Sequence, residues 1–189
     1  GGLTLVNVEK SFGWHRVLAD VNLTIRPGTI TGIIGVSGSG KTTLLRLVVG
    51  FYSLSGGSIL FNGQDIKKQR KLVKKNFGFV TQDNSFYKDL TTEENIFFFG
   101  RLYGLREDYL RTVLPELLSL VDLYEARSVL ARNLSGGMQR RLDIACAIVH
   151  NPSVLILDEP TEDLDPILRR ELLTMIRNIN KRGTTVIFT

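Results

Sequence analysis

Gly35-Val36-Ser37-Gly38-Ser39-Gly40-Lys41-Thr42 decides the reading of this chain. It fits G-x-x-x-x-G-K-[ST] without a gap, and it stands between an apolar run, Ile30 to Ile34, and a helix-like segment, Lys41 to Val49. Glycines let successive backbone N–H groups turn inward around a polyphosphate, and the N-terminus of the following helix adds a positive partial charge. In that geometry Gly35, Ser37, Gly38, Ser39 and Gly40 form a phosphate cradle and Lys41 meets the β- and γ-phosphates. Thr42 then offers a hydroxyl to Mg2+, and Thr43 reaches an α-phosphate oxygen. A glycine-rich turn that matches by chance is the competing reading, and the strand-to-helix placement argues against it. A dinucleotide fold is disfavoured, because no G-x-G-x-x-G precedes the helix.

Working outward, Val154 to Leu157 and Thr185 to Phe188 are apolar almost throughout, as Ile30 to Ile34 is. Strands buried on both faces of a parallel sheet look like this. Pro166 to Asn180 repeats Leu168, Leu172, Met175, Ile176 and Ile179 at helical spacing behind an Asp165-Pro166 start. Leu3 to Val8 and Val17 to Ile25 instead alternate apolar with polar residues, and Ser58 to Phe61 enters a tight turn at Asn62-Gly63, so antiparallel strands are expected there. Beyond Gln82 the pattern turns helical. Thr91 and Glu94 make a capping box before Ile96 to Tyr103, and Leu110 to Leu120 is Leu-rich with Pro115 expected to break it in two. The expected fold is α/β: a mostly parallel core with an antiparallel β subdomain (residues 1–82 and 135–189) and an inserted α-helical subdomain (83–134), all one domain.

Val154-Leu155-Ile156-Leu157-Asp158-Glu159 is an apolar strand that ends in two carboxylates. Ligands of open parallel sheets gather at the carboxyl ends of strands, so this end can stand beside the phosphate loop. Asp158 is the second Mg2+ partner, and Glu159 is placed to orient or deprotonate a water attacking the γ-phosphate. Four apolar residues before Asp-Glu are weak evidence alone and strong evidence when paired with the loop. Hydrolysis becomes the leading reaction. Leu134-Ser135-Gly136-Gly137-Met138-Gln139 then opens another helix-like stretch: Ser135 is a good N-cap, and the glycine pair leaves backbone N–H groups open to a second anion.

With these motifs in order, the chain resembles the nucleotide-binding domain of ATP-binding-cassette (ABC) proteins, a fold built on a P-loop NTPase core. Leu134 to Gln139 is similar to that family's signature motif, Gln82 in Phe79-Val80-Thr81-Gln82-Asp83 to its Q-loop, and Leu164-Asp165 to its D-loop. Phe12 sits where an aromatic stacks on adenine. The resemblance implies ATP and Mg2+ as ligands, with Gln82 as a further Mg2+ contact and Glu159, Gln82 and Lys41 as the catalytic set. It also implies a head-to-tail dimer with a second nucleotide-binding domain. There Ser135, Gly136 and Gly137 of one copy, with Asp165 nearby, would complete the γ-phosphate shell of the other. Leu90 to Asn95 and Phe99 to Gly104 are similar to export-type members. A transmembrane permease partner docked near Gln82 and the helical insert is therefore expected, at the cytoplasmic face of the membrane. The stretch 83–134 is too short for the long arms of chromosome-type relatives.

Three features depart from the family pattern. The switch histidine of the family would follow residue 189, and neither His15 nor His150 stands in its place. Gly1-Gly2 in place of Met, and Thr189 inside an apolar run, suggest a fragment, which would hydrolyse ATP poorly. Thr161-Glu162-Asp163-Leu164-Asp165 carries acids where the family has small residues, which would slow closure around ATP.

Composition agrees with a globular protein: 189 residues, 43% hydrophobic and 23% charged. One cysteine, Cys146, excludes an intrachain disulfide, and no apolar run approaches the roughly 20 residues of a membrane-spanning helix. The 24 basic and 19 acidic residues give a net charge of +5. Lys67, Lys68, Arg70, Lys71, Lys74 and Lys75 account for all of the excess, so the basicity is one local block and no nucleic acid partner is expected. A solvated helix face is the plain reading of that block, with anionic lipid headgroups or a protein partner as the alternative.

Overall fold

Period-two patterning in the first third of the chain builds one antiparallel sheet, and the uniformly apolar runs build a parallel one. The computed structural model describes residues 2–189. Strands β1 (Leu3–Phe12) and β2 (His15–Ile25) form a hairpin. After the phosphate loop and α1 (Lys41–Val48), β4 (Gly56–Phe61) turns into the short β5 (Gln64–Asp65). Asn62 and Gly63 of that turn both have positive φ, the conformation a two-residue hairpin favours. The antiparallel order is β2-β1-β4-β5.

The parallel sheet has the order β3 (Ile30–Gly32), β8 (Thr185–Phe188), β7 (Val154–Leu157), β6 (Phe77–Val80). All four residues of β7 are fully buried. Val154 and Ile156 join the cluster made by α1 and the antiparallel sheet. Leu155 and Leu157 join the other cluster, with α5 (Gly136–Ile148) and α6 (Pro166–Lys181). The central strand therefore has a packed layer on each face, as its sequence requires. At Gly78 of β6 a Cβ would stand 2.3 Å from the Ala147 carbonyl oxygen, so only glycine lets α5 lie this close to the strand that leads to Gln82.

Two expectations need correction. Ile30 to Ile34 is not a strand buried on both faces: β3 has three residues at the edge of the described sheet, with Ile30 39% and Ile34 98% exposed. Past Ile33, whose amide still donates to the Phe188 carbonyl, the chain leaves the sheet for the loop, and Ile34 is left exposed. Nor does Pro115 break its segment, since α4 (Glu107–Leu120) runs through it. Pro115 lies on the exposed side of the helix, where water can serve the carbonyl left without an N–H partner. Leu110, Leu114, Leu117 and Leu118 hold the opposite side in the core.

The capping box forms as expected at α3 (Thr92–Leu102), with Thr91 accepting from the Glu94 amide and Glu94 accepting from the Thr91 amide. The helical insert does not fold around a core of its own. Leu110 and Leu118 share one cluster with Leu142, Leu172 and Ile176 of α5 and α6. Cys146 is buried in the same cluster. The basic block forms a 3-10 turn, Ile66–Lys68, and the short helix α2 (Arg70–Asn76). Among the described residues no helix is long and apolar enough to cross a membrane.

Candidate functional site

Carboxyl ends of parallel strands converge on one place. There β3 feeds the phosphate loop, β7 ends at Asp158 and Glu159, β8 ends at Thr189, and β6 leads into Gln82. The loop from Ile34 to Ser39 is exposed. Gly40 closes it at φ 91°, and a Cβ there would stand 2.9 Å from Leu18 and 3.1 Å from Val17, so β2 presses directly on the loop. Thr91, Ser135 and Asp165 cap α3, α5 and α6, while α1 has no side-chain cap. Its first amides are left for a ligand. Lys41 folds back over the loop, its Nζ donating to the carbonyls of Gly35 (2.5 Å) and Val36 (3.0 Å).

Asp158 is 2% exposed, and its Oδ1 accepts from the hydroxyls of Thr42 (3.2 Å) and Thr189 (3.0 Å). The Thr189 hydroxyl also accepts from the Glu159 amide at 2.9 Å. Glu159 sits at φ 47°, a strained conformation for a residue with a Cβ and one concentrated at functional sites. Gln82 Nε2 donates to Glu159 Oε2 at 3.1 Å and also to Glu162. Partial loss of water pushes the Glu159 carboxyl above the usual carboxylate range. The neighbouring Glu162 and Asp158 add to that shift, and Lys41 opposes it. A cavity of about 420 Å³ opens here, walled by Gly35, Lys41, Glu159, Glu162, Arg169 and Thr189.

Helix α5 fixes the segment after β6 at two points. Arg140 donates to the carbonyls of Thr81 (3.2 Å) and Gln82 (3.1 Å). One turn on, buried Asp143 accepts from the Ser85 amide at 3.0 Å. Burial raises the Asp143 carboxyl to about 6, against the Ser85 hydrogen bonds and the Arg140 charge, which lower it. Asn95 of α3 then holds the next turn, accepting from the Tyr87 amide (2.7 Å) and donating to the carbonyls of Tyr87 (2.9 Å) and Thr91 (3.0 Å).

These residues fit a nucleoside triphosphate with a hydrated divalent cation. The uncapped amides of α1 and the Lys41 ammonium suit phosphate oxygens. Among the described residues no cluster of three His, Cys, Asp or Glu is placed for a metal. Mg2+ usually takes one or two protein oxygens beside phosphate and water, and the Thr42–Asp158 pair supplies that number.

Lys41 and Glu159 thus wall one cavity, and Thr42, Asp158 and Gln82 join them through the Thr42–Asp158 and Gln82–Glu159 hydrogen bonds. Phe12, Ser135 to Gly137 and Asp165 stand outside that set of contacts. The Phe12 ring is 43% exposed and packs edge-on against Tyr52 at 5.2 Å, with Lys10 Nζ 4.8 Å from its centre. Ser135 and Gly136 are exposed at the start of α5, and Ser135 Oγ accepts from the Met138 amide at 3.3 Å. Asp165 Oδ1 is taken up by the Ile167 and Leu168 amides. His150 stacks on Tyr103 at 3.6 Å, away from the cavity. Sequence reading missed Thr189, Arg140, Asp143, Asn95 and Arg169. For Thr189 a signal existed, since its hydroxyl ends a parallel strand beside the one that ends at Asp158. The other four depend on which helix packs where.

The family model described as ABC transporter matches residues 18–162. The chain is 37% identical over 187 residues to Nod factor export ATP-binding protein I of Sinorhizobium fredii, covering 99% of this chain and 54% of that protein. It is 33% identical over 183 residues to linearmycin resistance ATP-binding protein LnrL of Bacillus subtilis, covering 97% of this chain and 59% of that protein. The chain therefore spans less than two thirds of these curated relatives. Among solved structures, cbiO1 from Clostridium perfringens, part of the ABC transporter complex cbiONQ, superposes with a TM-score of 0.91 at 29% identity, over 98% of this chain and 76% of that one. The matched span takes in the phosphate loop, Gln82, Ser135 and the Asp158–Glu159 pair, and on that evidence the chain belongs to the ABC transporter family.

Proposed function

We propose that the chain binds and hydrolyses ATP, and that its ATP-bound form dimerises head to tail to drive a membrane permease. One observation carries this reading: an uncapped, glycine-started helix with its lysine folded over the loop faces a buried aspartate, a strained glutamate and a glutamine. The α1 amides, Lys41 and Thr43 bind the phosphates, and Phe12 stacks on adenine. Thr42 and Asp158, with Gln82 as a further contact, would hold Mg2+. When bound, that ion neutralises charge developing on the phosphate oxygens. Glu159 accepts a proton from the attacking water, and its upward-shifted carboxyl is a stronger base than a free one. Gln82, joined to Glu159 by its side chain and to α5 by its carbonyl, carries the state of the γ-phosphate into α5, which packs against α3 of the helical insert.

Ser135, Gly136 and Gly137 lie outside the cavity of their own chain, so a second copy offers them to the γ-phosphate. The names of the relatives, Nod factor export and linearmycin resistance, favour export as the direction. A permease seated at the helical insert would hold the chain at the cytoplasmic face of a membrane. Phosphate release from the protein, measured beside Glu159→Gln, tests the reading. Turnover in the first and none in the second supports it, and equal turnover removes Glu159 from the chemistry.

A further inference from the structure

The block Lys67, Lys68, Arg70, Lys71, Lys74 and Lys75 has no part in the nucleotide site. All six side chains are exposed. None takes part in an ion pair among the described residues, whereas Arg16, Arg101, Arg106, Arg111, Arg132, Arg141 and Arg182 all do. Helix α2 is built against its own charge. Arg70 and Lys74, and again Lys71 and Lys75, are like-charged pairs four residues apart. Its first turn holds basic residues and no acid, opposite to what the helix dipole favours, and it has no side-chain cap. A helix this short, with these charges, gains from a negative surface laid against it.

The apolar side of the block is equally specific. Val73 is buried, and between α2 and the segment after α1 lies a cavity of about 330 Å³ whose walls include Tyr52, Leu54, Val73, Lys67, Arg70 and Lys74. An apolar recess bordered by ammonium and guanidinium groups matches the boundary of a phospholipid layer, where acyl chain and phosphate meet. Phe51, on the same segment, is 71% exposed. Val73 and Lys74 also border a second apolar recess with Phe99, Leu102 and Tyr103 near the helical insert, so the basic face continues the side of the molecule assigned above to the permease.

From these features we infer that the 3-10 turn and α2 form a docking face for an anionic phospholipid bilayer. In its orientation toward the membrane the inference rests on the proposed permease contact, but lipid binding itself needs neither permease nor nucleotide. The test is co-sedimentation of the protein with phosphatidylglycerol-containing vesicles and with pure phosphatidylcholine vesicles. Expected are binding to the anionic vesicles alone, weakening with added salt, and a loss of affinity on the order of a hundredfold in Lys71→Gln/Lys74→Gln/Lys75→Gln, since each charge near an anionic surface is worth about a fivefold factor. A matched variant on α6, Arg170→Gln/Arg177→Gln/Lys181→Gln, is expected to bind vesicles nearly as well as the unchanged protein. Equal binding to neutral vesicles, or an equal loss in the α6 variant, overturns the inference. So does tighter, α2-dependent binding to RNA, which would make the face a polynucleotide site. ATP affinity of the α2 variant, measured alongside, is expected to be unchanged, so failure here is distinguishable from failure of the ATPase reading.

Discussion

Helices α1 and α5 both begin at glycine-bearing turns, and only one of them closes its own N-terminus. In α5, Ser135 Oγ accepts from the Met138 amide, so one of the first-turn amides is satisfied before any ligand arrives. In α1, Gly40 has no side chain to offer, and the helix's own Lys41 is bonded to two loop carbonyls. A phosphate would act as the cap that α1 lacks. In the proposed dimer a phosphate at α5 would be an addition, reached by the exposed Ser135 and Gly136 from a neighbouring copy. On the proposed reading, the difference would separate a site that binds nucleotide alone from one that senses it across an interface.

The largest expected effect belongs to the α1 side. Glu159→Gln should lower the rate of phosphate release by about 10²–10⁴-fold while ATP binding persists, which steady-state kinetics beside equilibrium binding will show. Lys41→Ala removes a charged donor from the loop, and ATP affinity should fall on the order of a hundredfold by titration calorimetry.

On α5 the effects are on stability. Asp143 has a folded-state carboxyl raised from 3.8 to about 6, so its favourable contribution is complete below about 3.8 and lost as pH rises through about 6. Asp143→Asn should therefore be more stable than the parent above pH 6 by up to about 3 kcal/mol, with the gap closing toward pH 4, in denaturant unfolding followed across pH. Ser135→Ala should cost about 1 kcal/mol of stability and leave the ATP affinity of a monomer unchanged, because its cap serves only its own helix. The smallest effect is at the charged turn. Glu162→Gln removes a negative charge beside Glu159 and Gln82, and ATP affinity should rise a few-fold, by roughly 1 kcal/mol or less.

What could be read from the chain and what could not divide along the same line. The phosphate loop, the acidic end of β7, the Thr91–Glu94 box and the Asp165 cap are local chemistry: residues close in sequence satisfy one another's backbone groups, and their spacing shows it. Pro115 misled because a proline's effect depends on which side of the helix meets water, and that is set by packing. Ile34 misled because an apolar residue can lie past the end of a strand as easily as within it. Arg140 and Asp143 were invisible for a stronger reason. Their partners lie near residues 81–85, and only the close approach of α5 to β6 over Gly78 brings them together.

Light-scattering mass of the Glu159→Gln protein with ATP, with and without Gly136→Asp, tests the division of labour between the two helices most directly. A Cβ at Gly136 meets nothing within 4 Å, so the backbone there has room for a side chain, and a carboxylate would place negative charge where the second copy's γ-phosphate would come in the proposed dimer. Expected is a doubled mass with ATP in Glu159→Gln alone, and a monomer that still binds ATP when Gly136→Asp is added. A mass that never changes with ATP, or a dimer indifferent to Gly136→Asp, would contradict it.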